Sequence, residues 1–284
     1  MSSRELFVFD LDGTLVHDGE QGRREIPDEL MLTLESLSFQ ADLVIATGRR
    51  YRTAKPIIDS LPKMPFKILN NGIIIRNASH EVVFKMNFDS QRAFEICEQI
   101  DRWGYLPILV MDGDRDEMDF VIWSQKPGFN RMSMAEVILK KAKNSAMMIH
   151  SLGSLSAALH PHIIEVASIG AYENLLKLRD RLASILPPEL RVIVVKNCGY
   201  ESLSVLEIFD KKCSKWSGVE YVRKLMGPSR VIAVGDDEND YEMLESADIS
   251  IVMDHALEHI RVLGHEVVSG PRGLVEYLRG NWLE

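Results

Sequence analysis

The sequence predicts an α/β fold, a parallel sheet with helices on both faces, into which a second, α+β domain is inserted. Three observations carry this. Short apolar runs alternate with helical patterns at both ends of the chain. The alternation stops between about residues 84 and 191. The apolar runs at both ends lead into polar segments, several containing glycine.

The elements follow in order. Leu6–Phe9 reads as the first strand. Pro27–Ser36 reads as a helix, with Ile26, Leu30, Leu34 and Leu37 on one side. Leu43–Ala46 is a second strand, followed by a helical segment from about Arg52 to Leu61. Ile68–Leu69 and Ile73–Arg76 are strand-like and separated by Asn70-Asn71-Gly72, which is turn chemistry. After the insertion, Val231–Val234, Ile249–Val252 and Val267–Val268 are further short strands with helices between them. The insertion has its own periodicity: a helix over Ser90–Trp103, a hairpin-like pair around Asp112–Asp119, more helix, and strands near His162–Val166 and Val192–Val195. The expected boundaries are 1–83 for the first part of the core, 84–191 for the insertion and 192–284 for the second part of the core.

Composition narrows the function classes. The chain has 284 residues, 46% hydrophobic and 26% charged, with a formal net charge of -9. That is an ordinary soluble composition with material for a substantial core. No long basic run offers a nucleic-acid footprint. Three cysteines without a CxxC pair exclude a disulfide framework or a zinc knuckle and imply reduced thiols. The opening MSSRELFVFD lacks a signal layout, and no apolar stretch approaches the roughly 18 residues that span a bilayer. The expectation is a cytoplasmic protein with no membrane partner.

The chemistry gathers where strands end. The first strand runs into Asp10-Leu11-Asp12-Gly13-Thr14-Leu15, the second into Thr47-Gly48-Arg49, the third region into Asn70-Asn71-Gly72. The late strand runs into Gly235-Asp236-Asp237-Glu238-Asn239-Asp240. Open parallel sheets bind ligands beyond the carboxyl ends of their strands, so segments far apart in sequence can converge there. Residues i and i+2 of an extended segment point to the same side, so D-x-D offers two carboxylates to one ligand.

These segments resemble the haloacid dehalogenase (HAD) superfamily, and within it the Cof-type phosphatases. Four signatures stand in the expected order: DLDGTL at Asp10–Leu15, the threonine of Thr47-Gly48-Arg49, a lysine opening a helix at Lys215, and GDDEND at Gly235–Asp240. A chance DxDGTL is expected on the order of once in ten thousand chains of this length. The resemblance spans the whole chain, with the insertion matched to the family's cap domain by position. It implies a Rossmann-like core, and a cap that closes over the site and sets specificity.

The resemblance also implies roles. Asp10 would be the nucleophile. Asp12 would protonate the leaving oxygen and then take a proton from water. Lys215 would bind the phosphoryl oxygens and neutralise Asp10. Thr47, the amides of Gly48 and Leu11, and the side chain of Asn239 would donate to the phosphoryl group. Asp10, the backbone carbonyl of Asp12, and Asp236 would ligate Mg²⁺. Asp240 would orient Lys215 or a metal-bound water, and Asp237 is either a supporting group or a solvated loop carboxylate. A cation is physically required. Two unit charges about 4 Å apart interact by about 4 kcal/mol at an effective dielectric near 20, and a phosphate dianion would meet several carboxylates.

Other motifs read as ordinary structure. Asp112–Trp123 fails as a calcium loop, with Glu117 at position six and Trp123 at position twelve. His160 and His162, with His150 nearby, lack a third metal ligand at sensible spacing. Ala135–Ala142 and Leu175–Leu186 read as core faces of helices. Three positions depart from the family pattern: Trp216 after the motif lysine, where glycine is usual, and Asp254-His255 where relatives carry Gly-Asn. The implied function is a Mg²⁺-dependent phosphatase acting through an aspartyl-phosphate on a small phosphorylated metabolite, with sugar phosphates favoured. A phosphotransferase or phosphomutase, and a catalytically silent binding protein, are the alternatives.

Overall fold

A computed structural model describes residues 4–18, 24–112, 119–123, 135–136, 138–140, 146–149, 162–200 and 203–283. The chain begins with β1 (Leu6–Phe9), whose four side chains are all fully buried. Burial of each such side chain is worth about 1.5–3 kcal/mol, and a strand buried on both faces is what a parallel sheet demands. A two-stranded hairpin follows, β2 (His17–Asp18) and β3 (Arg24–Glu25). Then come α1 (Asp28–Ser38), β4 (Asp42–Ala46), α2 (Tyr51–Ile58), β5 (Phe66–Leu69), β6 (Ile74–Asn77) and β7 (Val82–Lys85).

The insertion supplies α3 (Ser90–Arg102), β8 (Pro107–Met111), β9 (Phe120–Trp123), β10 (Ala146–Ile149), β11 (Ile163–Gly170), α4 (Tyr172–Ala183), β12 (Leu190–Tyr200) and β13 (Leu203–Asp210). The chain then gives α5 (Lys215–Met226), β14 (Val231–Gly235), a 3₁₀ turn at Glu238–Asp240, α6 (Tyr241–Ser246), β15 (Ile249–Met253), α7 (Glu258–Arg261), β16 (Glu266–Val268) and α8 (Gly270–Trp282).

The described chain divides into two compact units, 1–85 with 213–284, and 86–212. In the first, eight strands form one sheet in the order β16-β15-β14-β1-β4-β5-β6-β7. Strands β16 through β5 are parallel, and β6 and β7 continue antiparallel at one edge. β1 lies between β14 and β4, which is where the chain's path across the sheet reverses. That topology opens a crevice at the carboxyl end of β1. Leu6 and Val8 pack with Val219, Val222 and Met243 of the helices on one face. Phe7 faces the other way, edge-on to Trp282 with ring centroids 5.0 Å apart.

The second unit is a six-stranded sheet, β10-β9-β8-β11-β13-β12, with α3 and α4 packed on a core around Trp123, Leu109, Val166 and Leu206. The return to the first unit falls at 213 and not at the expected 192. The run Val192–Val195 looks like a buried parallel strand, but it pairs antiparallel with β13, Val192 opposite Ile208, and β13 in turn pairs with β11. The alternating burial of Ser204, Leu206 and Ile208 against Val205 and Glu207 is the mark of that hairpin. The tip of the Asp112–Asp119 pair, positions 137, 141 and 142 of the expected 135–142 helix, and the His150 and His160 positions lie outside the described residues. Among the described residues no helix is long and apolar enough to cross a membrane.

Candidate active site

β1 runs into Asp10, whose amide donates to Val234 O at 3.0 Å and so locks the strand end against β14. Asp10 is 4% exposed. α5 opens with Lys215, and the opening is well defined: Ser214 Oγ accepts the Ser217 amide at 3.1 Å while Ser217 Oγ accepts the Ser214 amide at 2.9 Å. This reciprocal cap fixes the first turn. Lys215, 1% exposed, donates to Asp10 Oδ1 at 2.6 Å and to Asp240 Oδ1 at 2.7 Å. The other oxygen of Asp240 accepts the amides of Asp236 and Asp237, at 3.1 and 3.2 Å. Asp240 therefore joins the lysine to the loop after β14.

Asp236 sits on the far side of this cluster. Its Oδ1 accepts from Thr14 Oγ1 at 2.8 Å, and its Oδ2 lies 3.1 Å from His255 Nε2. Gly13 makes the approach possible. It has φ +88°, and a Cβ there would stand 2.3 Å from Asp236 Oδ2. Gly72 plays the same part at the opening of α5, with φ +90° and a Cβ that would fall 2.0 Å from Ser214 O.

Asp12 leaves this group. Its carboxylate forms a two-pronged pair with Arg49, Nε to Oδ2 at 2.6 Å and NH2 to Oδ1 at 2.5 Å. The pair holds the Asp12 side chain in one orientation, as a bidentate guanidinium fork does. The two carboxylates of D-x-D thus meet different cations. Thr47, 1% exposed, accepts the Arg49 amide on its hydroxyl at 3.1 Å, which leaves the hydroxyl proton to donate. Asn239 Nδ2 donates to Asn71 Oδ1 at 3.0 Å, so the loops after β5 and β14 meet beside Gly48. Among the described residues no group accepts the amides of Leu11 or Gly48. Asp237 stays exposed and caps the 3₁₀ turn through the Glu238 amide. Trp216 packs against the core of its own unit.

The electrostatics are strained by design of the cluster. Burial pushes the Asp10 carboxyl well above the usual carboxylate range; Lys215 opposes this, and Asp240 and Asp236 add to it. Burial likewise raises Asp236, with Asp240 adding and the Thr14 and His255 contacts opposing. Burial alone would lower Lys215, but Asp10 and Asp240 hold it above its ordinary value. The hydrogen bond to Asp12 raises Arg49. Carboxylate oxygens of Asp10, Asp236 and Asp240 lie within 4.8 Å of one another. Three carboxylates around one ammonium leave negative charge in excess. An all-oxygen set of this kind suits a hard divalent cation.

Arg49, Thr14, Asn71 and His255 carried no assigned role in the sequence, although Arg49 adjoins the threonine motif.

The architecture so defined is a Rossmann-like α/β core with an α+β insertion. A family model for haloacid dehalogenase-like hydrolases matches residues 7–269, and the chain belongs to that family, among its Cof-type phosphatases. It is similar to an HMP-PP phosphatase of Citrobacter koseri, 23% identical over 270 residues that cover 92% of this chain and 90% of the relative. Among solved structures it resembles a Thermotoga maritima protein, with a TM-score of 0.74 and 24% identity over 99% of this chain and 97% of the other. It also resembles a HAD subclass IIB sugar phosphatase, with a TM-score of 0.71 and 19% identity over 99% and 100%. At these identities the structural likeness speaks for the fold.

Proposed function

We propose that this phosphatase is Mg²⁺-dependent and hydrolyses small phosphorylated metabolites through an aspartyl-phosphate. The observation that carries the reading is the buried Asp10–Lys215–Asp240 chain, which presents one carboxylate at the end of β1 with its charge steadied from behind. Asp10 attacks phosphorus, the bond from phosphorus to the leaving oxygen breaks, and Asp12 supplies that oxygen with a proton. Asp12 then accepts a proton from the water that cleaves the acyl phosphate. Arg49 grips both oxygens of the ionised Asp12 carboxylate, which positions it to take the proton from water, and one prong has to open for Asp12 to carry a proton to the leaving oxygen. The Thr47 hydroxyl, the amides of Leu11 and Gly48, and Asn239 Nδ2 donate to the phosphoryl oxygens, where charge is greatest in the transition state. Asp10 and Asp236, with the Asp12 carbonyl, would hold Mg²⁺, and Asp240 would support them. The cation supplies charge neutralisation between these carboxylates and the incoming phosphate.

Sugar phosphates are the favoured substrate class, because a fold relative is a sugar phosphatase. HMP-PP joins the panel because a sequence relative is an HMP-PP phosphatase. The reading extends to a cytoplasmic location, supported by the buried thiol of Cys97. The test is phosphate release from an aryl phosphate and then from the panel, with and without Mg²⁺, beside Asp10→Asn. Release that requires both the metal and Asp10 is expected. Release by a folded Asp10→Asn protein at the normal rate would refute the covalent route.

A further inference from the structure

We propose that His255 is a positioning residue that holds the Asp236 carboxylate in the orientation a divalent cation requires. This rests on the acidic-cluster reading above and concerns a residue outside it. An ionised carboxylate only accepts hydrogen bonds, so the 3.1 Å contact between His255 Nε2 and Asp236 Oδ2 requires the proton on Nε2. Thr14 Oγ1 holds the other oxygen at 2.8 Å, and the backbone of Gly13 closes on Oδ2. The Asp236 carboxylate is thereby bracketed by donors on both oxygens and by main chain on one side. Rotation about its last side-chain bond would break one of these contacts. Donors of this kind orient metal-binding carboxylates, and their loss typically costs about 10–100-fold in metal affinity.

The turn that presents His255 is built for the purpose. Met253 and Ala256, on either side, are buried, and the Ala256 amide closes the turn on Met253 O at 3.1 Å. Asp254 is tied down by its amide to Val268 O at 2.9 Å and by Ser269 Oγ at 2.6 Å, and Arg261 donates to its carbonyl at 3.2 Å. The His255 side chain is 48% exposed and the Asp236 side chain 11%. The ring can therefore be replaced without opening a core, and the buried partner is the one that feels the loss.

Mg²⁺ alone is titrated calorimetrically into metal-free wild type, His255→Ala, His255→Asn and Asp236→Asn, with the metal-free melting temperature of each recorded. Affinity in His255→Ala should fall about 10-fold or more with an unchanged melting temperature. His255→Asn, whose amide can donate, should recover most of the loss. Asp236→Asn should bind no measurable Mg²⁺. Wild-type affinity in His255→Ala, with binding absent in Asp236→Asn, overturns the role of His255 and leaves the cluster reading standing. Equal weakness of the alanine and asparagine variants overturns it too, because a donated hydrogen bond would then not be the cause. A matching fall in metal-free melting temperature would make His255 a scaffold contact instead. Wild-type binding by Asp236→Asn overturns both the cluster and this inference.

Discussion

The two units bury polar groups in different ways. In the first, the polar side chains gathered at the end of β1 complete one another: Lys215 answers Asp10 and Asp240, Asp240 answers the amides of its own loop, and Thr14 answers Asp236. In the second, Trp123 Nε1 and Ser168 Oγ are buried without a hydrogen-bond partner among the described residues. They sit in a sheet whose helix-covered face is otherwise apolar. Buried side-chain atoms without a partner among the described residues also occur in the first unit, Asn70 Oδ1 and His80 Nδ1 among them, so the contrast is between the connected network at the end of β1 and the isolated groups elsewhere. A connected network in low dielectric costs a great deal to break, whereas an isolated buried group costs something merely by being there.

The largest expected effect lies in the network. Lys215→Met should destabilise the metal-free protein by about 3–5 kcal/mol, since removing one partner of a buried ion pair leaves the other charge uncompensated. Asp10 and Asp240 would then face each other without a cation. Combining it with Asp10→Asn should recover part of the loss, which denaturant unfolding of the single and double variants would measure. Strict additivity would show that Lys215 and Asp10 do not act as a pair.

A smaller effect should follow at the edge of the network. Arg49→Lys keeps the charge but loses the two-pronged grip on Asp12. Turnover should fall about 10–100-fold, because slight misplacement of an acid–base group costs on that order. Stability should change by less than about 1 kcal/mol, as expected for a pair at this degree of exposure. An unchanged kcat would remove Arg49 from the positioning of Asp12.

How much of this was legible in the sequence varies with distance along the chain. Asp10, Asp12 and Gly13 lie together in one motif at a strand end, and their neighbourhood could be read directly. Lys215 stands 205 residues from Asp10, and only a family resemblance selected it from among Lys211, Lys212 and Lys215. The Arg49–Asp12 pair depends on where α2 starts relative to β1, which no local pattern encodes. The boundary at 213 was hidden because Val192–Val195 has the composition of a parallel core strand, and only its partner in β13 shows otherwise. His255 was visible as a departure from the family pattern, but its contact with Asp236 comes from two loops on adjacent strands.

The smallest effect tests the second unit. Ser168 lies in β11 opposite Pro107 of β8 and Leu206 of β13, and it is fully buried. An unpaired buried hydroxyl carries a desolvation penalty that alanine does not, and the volume lost is one oxygen. Ser168→Ala should therefore leave stability unchanged or raise it by up to about 1 kcal/mol. Leu109→Ala, in the same sheet, should cost about 2–5 kcal/mol through the cavity it leaves. Urea unfolding of the two variants decides the matter. A loss above about 1.5 kcal/mol in Ser168→Ala would mean that the hydroxyl has a partner worth keeping, and the contrast between the two units would then narrow to the chemistry at the end of β1.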